Sequence, residues 1–249
     1  MQNELDLVVV IPAYNEEACI RDVVPNWING IAKTIPTDRF KLLIINDGSR
    51  DNTGIILDEL TGEFTNLIAK HQLNGGHGNA IYNGYQMAVD MNPAFVFQTD
   101  SDDQFDPKDF KKFWEKRIES DFILGYREVR HDDPFRLIIT RILKLSLLFI
   151  YGTYIHDANI PFRLIRTSFL KKLLAALPKQ VPFAPNIFLA VLAKKSGQKL
   201  FDIPVLHKER ETGEVSIRHM KLLKVCWQSF KELSAFRFQL NRMVREINE

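Results

Sequence analysis

The sequence predicts an α/β protein with a mostly parallel sheet flanked by helices. Along residues 1–125, short and almost continuously apolar segments alternate with segments of helical periodicity, and polar clusters follow the apolar segments. Strands that are apolar throughout belong to parallel sheets covered by helices on both faces. With 249 residues and 45% hydrophobic side chains, the chain is long enough to close one such core.

The first half is expected to contain five strands and four helices. Pro12 is expected to end the first strand, Pro25 to interrupt the first helix, and Asp51 to cap the second helix. Pro107 fits the first turn of the fourth helix. The predicted strands are residues 5–11, 40–45, 66–69, 94–98 and 122–124, and the predicted helices are residues 16–32, 51–60, 78–91 and 107–117.

The second half is less regular and ends in a helical tail. A basic amphipathic segment covers residues 134–151, strands are expected at 161–165 and 201–206, and helices at 168–176 and 187–195. From residue 218 onward, apolar residues recur every three or four positions, which is the period of a helix. We therefore predict two units, residues 1–217 and a basic amphipathic helical tail at residues 218–249. The apolar stripe of the tail comprises Met220, Leu223, Trp227, Phe230, Leu233, Phe236, Leu240, Met243 and Ile247.

The charge of the chain is divided unevenly. Residues 1–125 hold 11 Lys and Arg against 20 Asp and Glu, a net charge of −9, whereas residues 126–249 hold 22 against 11, a net charge of +11. This division favours metal or nucleobase contacts in the first half and anion or membrane-surface contacts in the second, the alternative being scattered solvated charge. Two cysteines exclude a disulfide framework and a cysteine zinc site.

No segment has the sequence of a membrane span or of a signal peptide. Arg141 and Lys144 interrupt the most apolar region, and its longest uncharged piece has 11 residues, which suits a buried or interfacial helix. The first residues lack both a basic segment and a small-residue cleavage site. We therefore expect a cytoplasmic protein, to which the basic amphipathic segments add peripheral contact with the cytoplasmic face of a membrane.

The strongest local signal for chemistry is the sequence Asp100-Ser101-Asp102 at a predicted strand end. Two carboxylates one residue apart in a turn can bind one hard divalent cation, and Gln104 adds a neutral oxygen. Mg²⁺ or Mn²⁺ held in this way also binds diphosphate oxygens. The sequence therefore predicts a metal site formed by Asp100, Asp102 and Gln104, the alternative being an acidic loop that caps the helix at Pro107.

Asp47 and the glycine-rich residues 74–78 follow the second and third predicted strands. A carboxylate in a tight turn can accept hydrogen bonds from a nucleobase edge or ribose hydroxyls, or it can satisfy its own backbone. The glycines either let backbone amides approach a ligand or form a flexible turn. The first strand is followed by residues 12–16 without any glycine, and no phosphate-loop Gly-Lys-Ser/Thr exists, which disfavours dinucleotide-binding and phosphate-loop proteins.

Four motifs in a fixed order resemble glycosyltransferase family 2, and their order is more specific than any one of them. They are Val-Val-Ile-Pro-Ala-Tyr-Asn-Glu at 9–16, Asn-Asp-Gly-Ser at 46–49, Asn-Gly-Gly-His-Gly at 74–78 and Thr-Asp-Ser-Asp-Asp-Gln at 99–104. The resemblance implies the A-type glycosyltransferase fold in residues 1–217, and inverting transfer of a sugar from a nucleotide-sugar donor.

Three further segments look like motifs of the polyprenyl-phosphate sugar transferase branch, which contains dolichol-phosphate mannose synthase. They are residues 124–127, residues 156–164 with Pro161 where Gly or Ser is usual, and residues 210–216 with one extra residue before the serine. The resemblance covers roughly residues 5–216. It implies a polyprenyl phosphate, or another lipid or glycan, as the acceptor, and no nucleic-acid partner.

The resemblance also implies roles for individual residues. Asp100 and Asp102 would hold Mg²⁺ or Mn²⁺ on the donor diphosphate with Gln104 assisting, and the metal stabilises the leaving group, which makes Asp102 catalytic. His77 stands where lysine is usual, which removes one expected cation. The residues expected around a UDP- or GDP-sugar are Pro12, Tyr14, Glu16, Asp47, His77, Gly78 and Asp100.

An anionic acceptor needs cations, and arginine binds phosphate with two hydrogen bonds. The residues that the matching motifs suggest for the acceptor phosphate are Arg127, Arg136, Arg163, Arg210 and Ser216, of which Arg127 and Arg163 are also catalytic candidates. Residues 135–151 and the tail would then lie on the membrane surface, or they pack on the domain, and the tail has dimerisation as a third role.

One departure from the family concerns the general base. Many members carry Glu-Asp about eleven residues before a glycine, and that Asp is the base, whereas this chain has Pro185-Asn186 before Gly197. An amide cannot take a proton from a hydroxyl, but a phosphate acceptor is already anionic, so the departure favours a phosphate. Two alternatives stay open: a glycan hydroxyl acceptor with Asp157 as base, and a degenerate protein that binds a nucleotide sugar without turnover.

Overall fold

The computed structural model describes residues 5–128, 134–178, 184–208 and 219–249, with the backbone alone for residues 134–140 and 219–229. Its centre is a seven-stranded sheet. The strands are β1 (Leu7–Ala13), β2 (Phe40–Asp47), β3 (Leu67–Gln72), β4 (Phe95–Gln98), β5 (Phe122–Arg127), β6 (Arg163–Arg166) and β7 (Leu200–Val205).

Helices cover the sheet on both faces. They are α1 (Ile20–Ala32), α2 (Thr53–Glu63), α3 (His77–Asp90), α4 (Phe110–Lys116), α5 (Pro134–Tyr151), α6 (Thr167–Ala176), α7 (Pro185–Lys195) and α8 (His219–Asn248). Short 3₁₀ turns precede β2 and α4.

The strand order is β3-β2-β1-β4-β6-β5-β7, and β6 alone runs antiparallel to its two neighbours, β4 and β5. The pairs β1–β2, β1–β4, β2–β3 and β5–β7 are parallel. The prediction of a mostly parallel sheet flanked by helices is therefore confirmed. The carboxyl ends of β1, β2 and β4 meet at one edge, because these strands are neighbours and run in the same direction.

Two predictions about proline are wrong. Pro12 does not end the first strand, because β1 continues through it to Ala13 in register with β2. Beyond Val10 the strand no longer has β4 beside it, so the missing N–H of Pro12 removes no ladder bond there. Pro25 lies inside α1 without ending it; the helix begins only at Ile20, after a turn in which Glu16 O accepts from the backbone N–H of Ile20.

Consecutive residues of β4 send their side chains into the two opposite layers. Phe97 packs against Trp27 of α1 and against Phe110 and Phe113 of α4, with ring centroids 5.2–6.0 Å apart. Gln98 faces α3 on the other side. There α3 lies so close to β1 that a Cβ at Gly84 would meet Val10 Cγ1 at 2.4 Å, which explains the glycine.

The described side chains of α8 pack on the rest of the chain. Phe236 meets Phe188 of α7 with ring centroids 4.7 Å apart, and Tyr151 at the end of α5 donates its hydroxyl to the carbonyl of Leu233. Packing on the domain is one of the three roles that the sequence left open for the tail. The buried members of its apolar stripe are Leu233, Phe236, Leu240, Met243 and Ile247. In the described part of the chain, no helix combines the length and apolar character needed to cross a bilayer.

Candidate active site

The loops after β1, β2 and β4 are bonded to one another. Ser101 Oγ donates to the carbonyl of Pro12 at 2.9 Å, and the backbone N–H of Asn15 donates to Ser49 Oγ at 3.0 Å. Asn15 Oδ1 in turn accepts from the backbone N–H of Arg50 at 2.8 Å. Three of the four sequence motifs thus form one polar surface at the carboxyl edge of the sheet.

Asp100 is a strongly perturbed carboxyl group of this surface. Burial, together with the neighbouring carboxylates of Asp102 and Glu16, raises the pKa of Asp100 well above its usual value, although Arg127 and Arg163 act in the opposite direction. Asp100 Oδ1 is buried and has no hydrogen-bond partner among the described residues. A buried carboxylate oxygen without a partner, beside two further carboxylates, is an environment that a cation would stabilise.

The acidic loop does not cap the following helix through Asp100 or Asp102. Asp106 does so, because its Oδ1 accepts from the backbone N–H of Lys108 at 2.9 Å. Asp102 Oδ1 accepts from the backbone N–H of Gln104 at 3.3 Å, and Gln104 Nε2 is bonded to the carbonyl of Lys208 at 3.1 Å. The residue that caps this helix is therefore Asp106, and not a carboxylate of the predicted metal site.

Asp47 is buried and holds the glycine-rich segment. Its Oδ1 accepts from Gln72 Nε2 at 2.7 Å and from the backbone N–H of Gly75 at 2.9 Å, and its Oδ2 accepts from the backbone N–H of Gly76 at 2.9 Å. The turn after β2 is instead closed by Asn46, whose Oδ1 accepts from the backbone N–H of Ser49. Asp47 thus shapes the loop that precedes α3.

Gly48 is required where the β2 turn meets this loop. Its φ of +68° lies in the left-handed region, and a Cβ would meet the backbone nitrogen of Asn74 at 2.6 Å. Asn74 Nδ2 donates to the carbonyl of Asp47 at 2.9 Å, which closes the contact. The turn and the glycine-rich segment are therefore built as one unit.

The other expected nucleotide residues lie near the end of β1, in the loop after it and at the start of α3. Pro12 is buried at the end of β1, and Tyr14 is 39% exposed in the loop after it. Glu16 is almost buried and its backbone N–H donates to Thr53 Oγ1 at 2.8 Å. His77 and Gly78 are the first two residues of α3, where helical N–H groups point out of the helix and favour an anion.

Arg127 and Asp157 form an ion pair, and Arg127 also acts electrostatically on Asp100. Arg127 Nη1 lies 3.7 Å from Asp157 Oδ2, and its guanidinium lies 5.8 Å from the ring centroid of Phe105. Asp157 is 5% exposed. Arg127 Nε is buried and has no hydrogen-bond partner within the described ranges. The pair combines a buried carboxylate with a guanidinium that keeps donor capacity for a further anion.

Arg163 is fully buried, and this corrects the role that the sequence gave it. Its Nε donates to the carbonyl of Ile160 at 3.0 Å, and its Nη1 donates to the carbonyl of Asn186 at 2.9 Å. Its Nη2 donates to the carbonyls of Ala158 and Ile160. Because the guanidinium is buried and donates to main-chain oxygens, we assign Arg163 a positioning role in place of direct contact with an acceptor phosphate.

A buried polar network, which the sequence analysis did not identify, adjoins Arg163. Asn186 Nδ2 donates to Gln98 Oε1 at 2.9 Å, and the hydroxyl of Tyr85 lies 3.2 Å from the same oxygen. Burial raises the pKa of Tyr85, so its hydroxyl stays neutral. The one available signal was Gln98 itself, a polar residue at the end of an otherwise apolar strand. Asn186 is 2% exposed and serves as a structural amide.

Three of the expected acceptor residues lie where the structure describes no side chain. Arg136 lies in the part of α5 for which the backbone alone is described. Arg210 and Ser216 lie outside the described residues. Their assignment to the acceptor phosphate stays a prediction.

The residues present fit a divalent cation whose coordination is completed by substrate oxygens. Mg²⁺ is typically bound by one or two carboxylates together with phosphate oxygens and water. Asp100 and Asp102 supply two carboxylates, and the buried, unpartnered Oδ1 of Asp100 is the oxygen most in need of a cation. Within the described ranges, no group of three or more His, Cys, Asp or Glu side chains is arranged to hold a metal without a substrate.

The mostly parallel sheet with its antiparallel β6, the polar loops at its carboxyl edge and the carboxylate pair after β4 define a glycosyltransferase of the A-type fold. A family model described as "Glycosyl transferase family 2" matches residues 8–174, more than half of the chain. The chain belongs to glycosyl transferase family 2.

Individual relatives are distant in sequence. An uncharacterised protein of Methanocaldococcus jannaschii is 26% identical over 236 residues, which span 90% of this chain and 98% of the relative. Undecaprenyl-phosphate 4-deoxy-4-formamido-L-arabinose transferase of Pseudomonas aeruginosa is 27% identical over 228 residues, which span 90% of this chain but 64% of the relative, less than two thirds of its length.

Among solved structures, the chain is similar to glucosyl-3-phosphoglycerate synthase from Mycobacterium tuberculosis, solved in complex with Mn²⁺, uridine diphosphate and glucosyl-3-phosphoglycerate. The TM-score is 0.68 and the identity is 15%, over 94% of this chain and 80% of that chain. At this identity the similarity shows the fold.

Proposed function

We propose that the protein transfers a sugar, with inversion and in a metal-dependent reaction, from a nucleotide sugar to a polyprenyl phosphate. The observation that carries the choice of acceptor is the buried amide of Asn186. It stands where many family members have their general base, and its carboxamide is bonded to Gln98. A hydroxyl acceptor needs a base, whereas a phosphate acceptor attacks as an anion. The name of the Pseudomonas aeruginosa relative, an undecaprenyl-phosphate transferase, supports the same class of acceptor.

The donor is assigned to the surface formed by the loops after β1, β2 and β4. Asp100 and Asp102, with Gln104 nearby, would hold a divalent cation on the diphosphate. When bound, that cation neutralises the charge that develops on the departing nucleoside diphosphate. Asp47 keeps the glycine-rich segment in place, so that the amides at the start of α3 face the donor. Pro12, Tyr14 and Glu16 would border the nucleoside.

The acceptor phosphate is assigned to Arg127. Its guanidinium lies between Asp157 and Phe105 and acts electrostatically on Asp100. Asp157 orients the guanidinium, while the unpartnered Nε of Arg127 keeps donor capacity for a phosphate oxygen. Arg163 supports this arrangement by donating hydrogen bonds to the main-chain carbonyls of the loop at residues 158–160. Arg136, Arg210 and Ser216 would complete the phosphate site.

A lipid acceptor requires the protein to reach a membrane surface, and α5 has the composition for this. Among the side chains of α5 that the structure describes, residues 141–151, four apolar ones are exposed, with Phe149 at 84% and Ile142 at 56%. Arg141 and Lys144 lie on the same helix and suit anionic headgroups. We propose that this face of α5 rests on the cytoplasmic leaflet. These four exposed residues are Ile142, Leu145, Leu148 and Phe149.

The direct test is transfer of label from nucleotide sugars to a short polyprenyl phosphate. The protein would be incubated with UDP- and GDP-sugars, Mn²⁺ and the acceptor, and the organic phase would be extracted. We expect a labelled lipid with one donor, lost when EDTA is added. No labelled lipid from any common donor would overturn the proposal.

The second candidate is transfer to a glycan hydroxyl, and the observation that favours it is the buried carboxylate of Asp157 in the acceptor half. Its Oδ2 lies 3.7 Å from Arg127 Nη1, so this carboxylate already has a cationic partner in the structure, which speaks against its use as a base. The variant Asp157→Asn distinguishes the phosphate acceptor from the hydroxyl acceptor. Loss of turnover with unchanged donor binding, and with hydroxyl acceptors only, would favour the second candidate.

A further inference from the structure

A cavity lies where α8 packs against the ends of α5 and α7. Its volume is about 320 Å³, near the lower end of the range for ligand-binding clefts. Arg237 lines it and ties α8 to α5, because its Nε donates to the carbonyl of Ile150 at 3.0 Å. Tyr151 lines it as well, and its hydroxyl donates to the carbonyl of Leu233. The lining also includes Lys195, Leu240, Asn241 and Arg245.

The lining of this cavity is positively charged. Lys195, Arg237 and Arg245 bring three cations from two helices, and no Asp or Glu of the described chain lines the cavity with them. Within the described ranges, none of the three forms an ion pair with a carboxylate; an ion pair on α8 joins Arg242 to Glu246, neither of which lines the cavity. Like charges around one space repel one another, and an anion in that space would relieve the repulsion.

An exposed aromatic ring lies on α8 beside the cavity. Phe238 directly follows Arg237 and is 90% exposed. Asn241 and Arg245, which line the cavity, come three and seven positions after Phe238, and residues at this spacing share one face of a helix. An aromatic ring beside arginine and lysine side chains is typical of a helix that lies in a membrane interface.

We propose that the cavity binds the phosphate headgroup of an anionic phospholipid and that Phe238 enters the acyl boundary of the same membrane. The inference rests on the proposed function for its membrane location, and it adds a headgroup site to that function. The guanidinium groups of Arg237 and Arg245 suit phosphate oxygens, and Asn241 supplies an amide donor. Tyr151 in the lining is the last residue of α5, so the site adjoins the helix that is proposed to rest on the leaflet.

The test is sedimentation of the full chain with lipid vesicles. One set of vesicles contains phosphatidylcholine alone, and the other contains phosphatidylcholine and phosphatidylglycerol in equal parts. We expect the wild type to bind the mixed vesicles more tightly. Lys195→Ala and Arg245→Ala should each weaken this binding about fivefold, the usual contribution of one cation beside an anionic membrane. Phe238→Ser should weaken it about tenfold, through the loss of a buried aromatic side chain.

Lys194→Ala is the matched control. Lys194 is exposed and lies next to Lys195 in the last turn of α7, but it does not line the cavity. This variant should bind the mixed vesicles as the wild type does. Thermal midpoints equal to that of the wild type establish that each variant is folded. In detergent, where no vesicle is present, Lys195→Ala should transfer sugar to the short polyprenyl phosphate at the rate of the wild type.

Equal weakening by Lys194→Ala and Lys195→Ala would overturn the inference, because the positive charge would then act without a defined site. Equal binding of the wild type to the two kinds of vesicle would overturn it as well. So would binding of glycerol 3-phosphate in calorimetry that Lys195→Ala abolishes while vesicle binding stays unchanged, since the site would then take a soluble anion. Vesicle binding as expected, without labelled lipid from any donor in detergent, would overturn the proposed transfer reaction and leave the headgroup site standing.

Discussion

Arg163 Nη1 donates a hydrogen bond of 2.9 Å to the main-chain carbonyl of Asn186, which ties the start of β6 to the first turn of α7. The same guanidinium holds the carbonyls of Ala158 and Ile160. Burial lowers the pKa of Arg163, whereas Tyr85, Asp157 and Asp100 act to keep it charged. One buried cation thus organises the acceptor half around Asp157 while it stays out of contact with solvent.

Arg163→Lys is expected to destabilise the protein by about 2–4 kcal/mol, because lysine cannot satisfy three separated carbonyl groups and leaves buried acceptors unpaired. Urea denaturation monitored by circular dichroism measures the change. Arg166→Lys, at a partly exposed arginine paired with Asp121, is the matched control and should cost less. An Arg163→Lys variant as stable as the wild type, with weaker acceptor binding, would restore the direct phosphate contact predicted from the sequence.

Asn186→Asp would reintroduce the carboxylate that many family members carry. We expect no gain in transfer to a polyprenyl phosphate, and a loss of about 1–3 kcal/mol in the free energy of unfolding, because the hydrogen bond from Asn186 Nδ2 to Gln98 Oε1 disappears. The measurements are initial rates with a saturating donor and urea denaturation. A faster transfer by Asn186→Asp would mean that proton removal limits the reaction, which contradicts an anionic acceptor.

The sequence predicted the sheet class and the polar loops that meet at the carboxyl edge of the sheet, because apolar strands ending in polar clusters leave a strong pattern. It did not predict the reversed direction of β6, since the path of the chain between β5 and β6 has no local signal. Pro25 was misinterpreted because a helix held by tertiary packing tolerates one missing N–H.

The roles of single polar residues were harder to predict than the elements. Asp47 was expected to contact a nucleobase or its own turn, but its carboxylate accepts from Gly75 and Gly76, 28 and 29 residues away. Arg163 was expected at a phosphate, but its partners are main-chain carbonyls. Nearly every residue has a main-chain N–H and C=O group, so the sequence does not show which of them a side chain will bind. Such contacts are seen only in the folded structure.

Asp47→Asn is expected to loosen the glycine-rich segment. The amide keeps one acceptor oxygen, so only one of the backbone N–H groups of Gly75 and Gly76 retains its partner. We expect faster hydrogen exchange at these amides and about tenfold weaker binding of the nucleoside diphosphate, the effect of about 1.4 kcal/mol. If exchange at Gly75 and Gly76 stays slow while nucleotide binding is lost, Asp47 contacts the base directly.

Asp100→Asn is expected to stabilise the metal-free protein at neutral pH. The raised pKa of Asp100 means that the native state binds a proton which the unfolded state has already released, so stability falls as pH rises through the folded pKa. Removing the charge should raise the thermal midpoint by about 2–4 °C, the shift that about 1 kcal/mol produces in a chain of this size. Asp103→Asn, at the exposed neighbour, should leave the midpoint within about 1 °C. A lower midpoint for Asp100→Asn would show that the carboxylate is a structural partner.

The central claim is that Asp100 and Asp102 hold a divalent cation together with the donor diphosphate. Electron paramagnetic resonance of Mn²⁺ tests it directly, because binding removes the sharp signal of the free ion. In the presence of UDP or GDP, with the Mn²⁺ bound by the nucleotide alone subtracted, the wild type should withdraw one equivalent of Mn²⁺. Asp102→Asn should withdraw far less, and Asp103→Asn as much as the wild type. An unchanged free Mn²⁺ signal with both nucleotides, or equal withdrawal by Asp102→Asn, would contradict the claim.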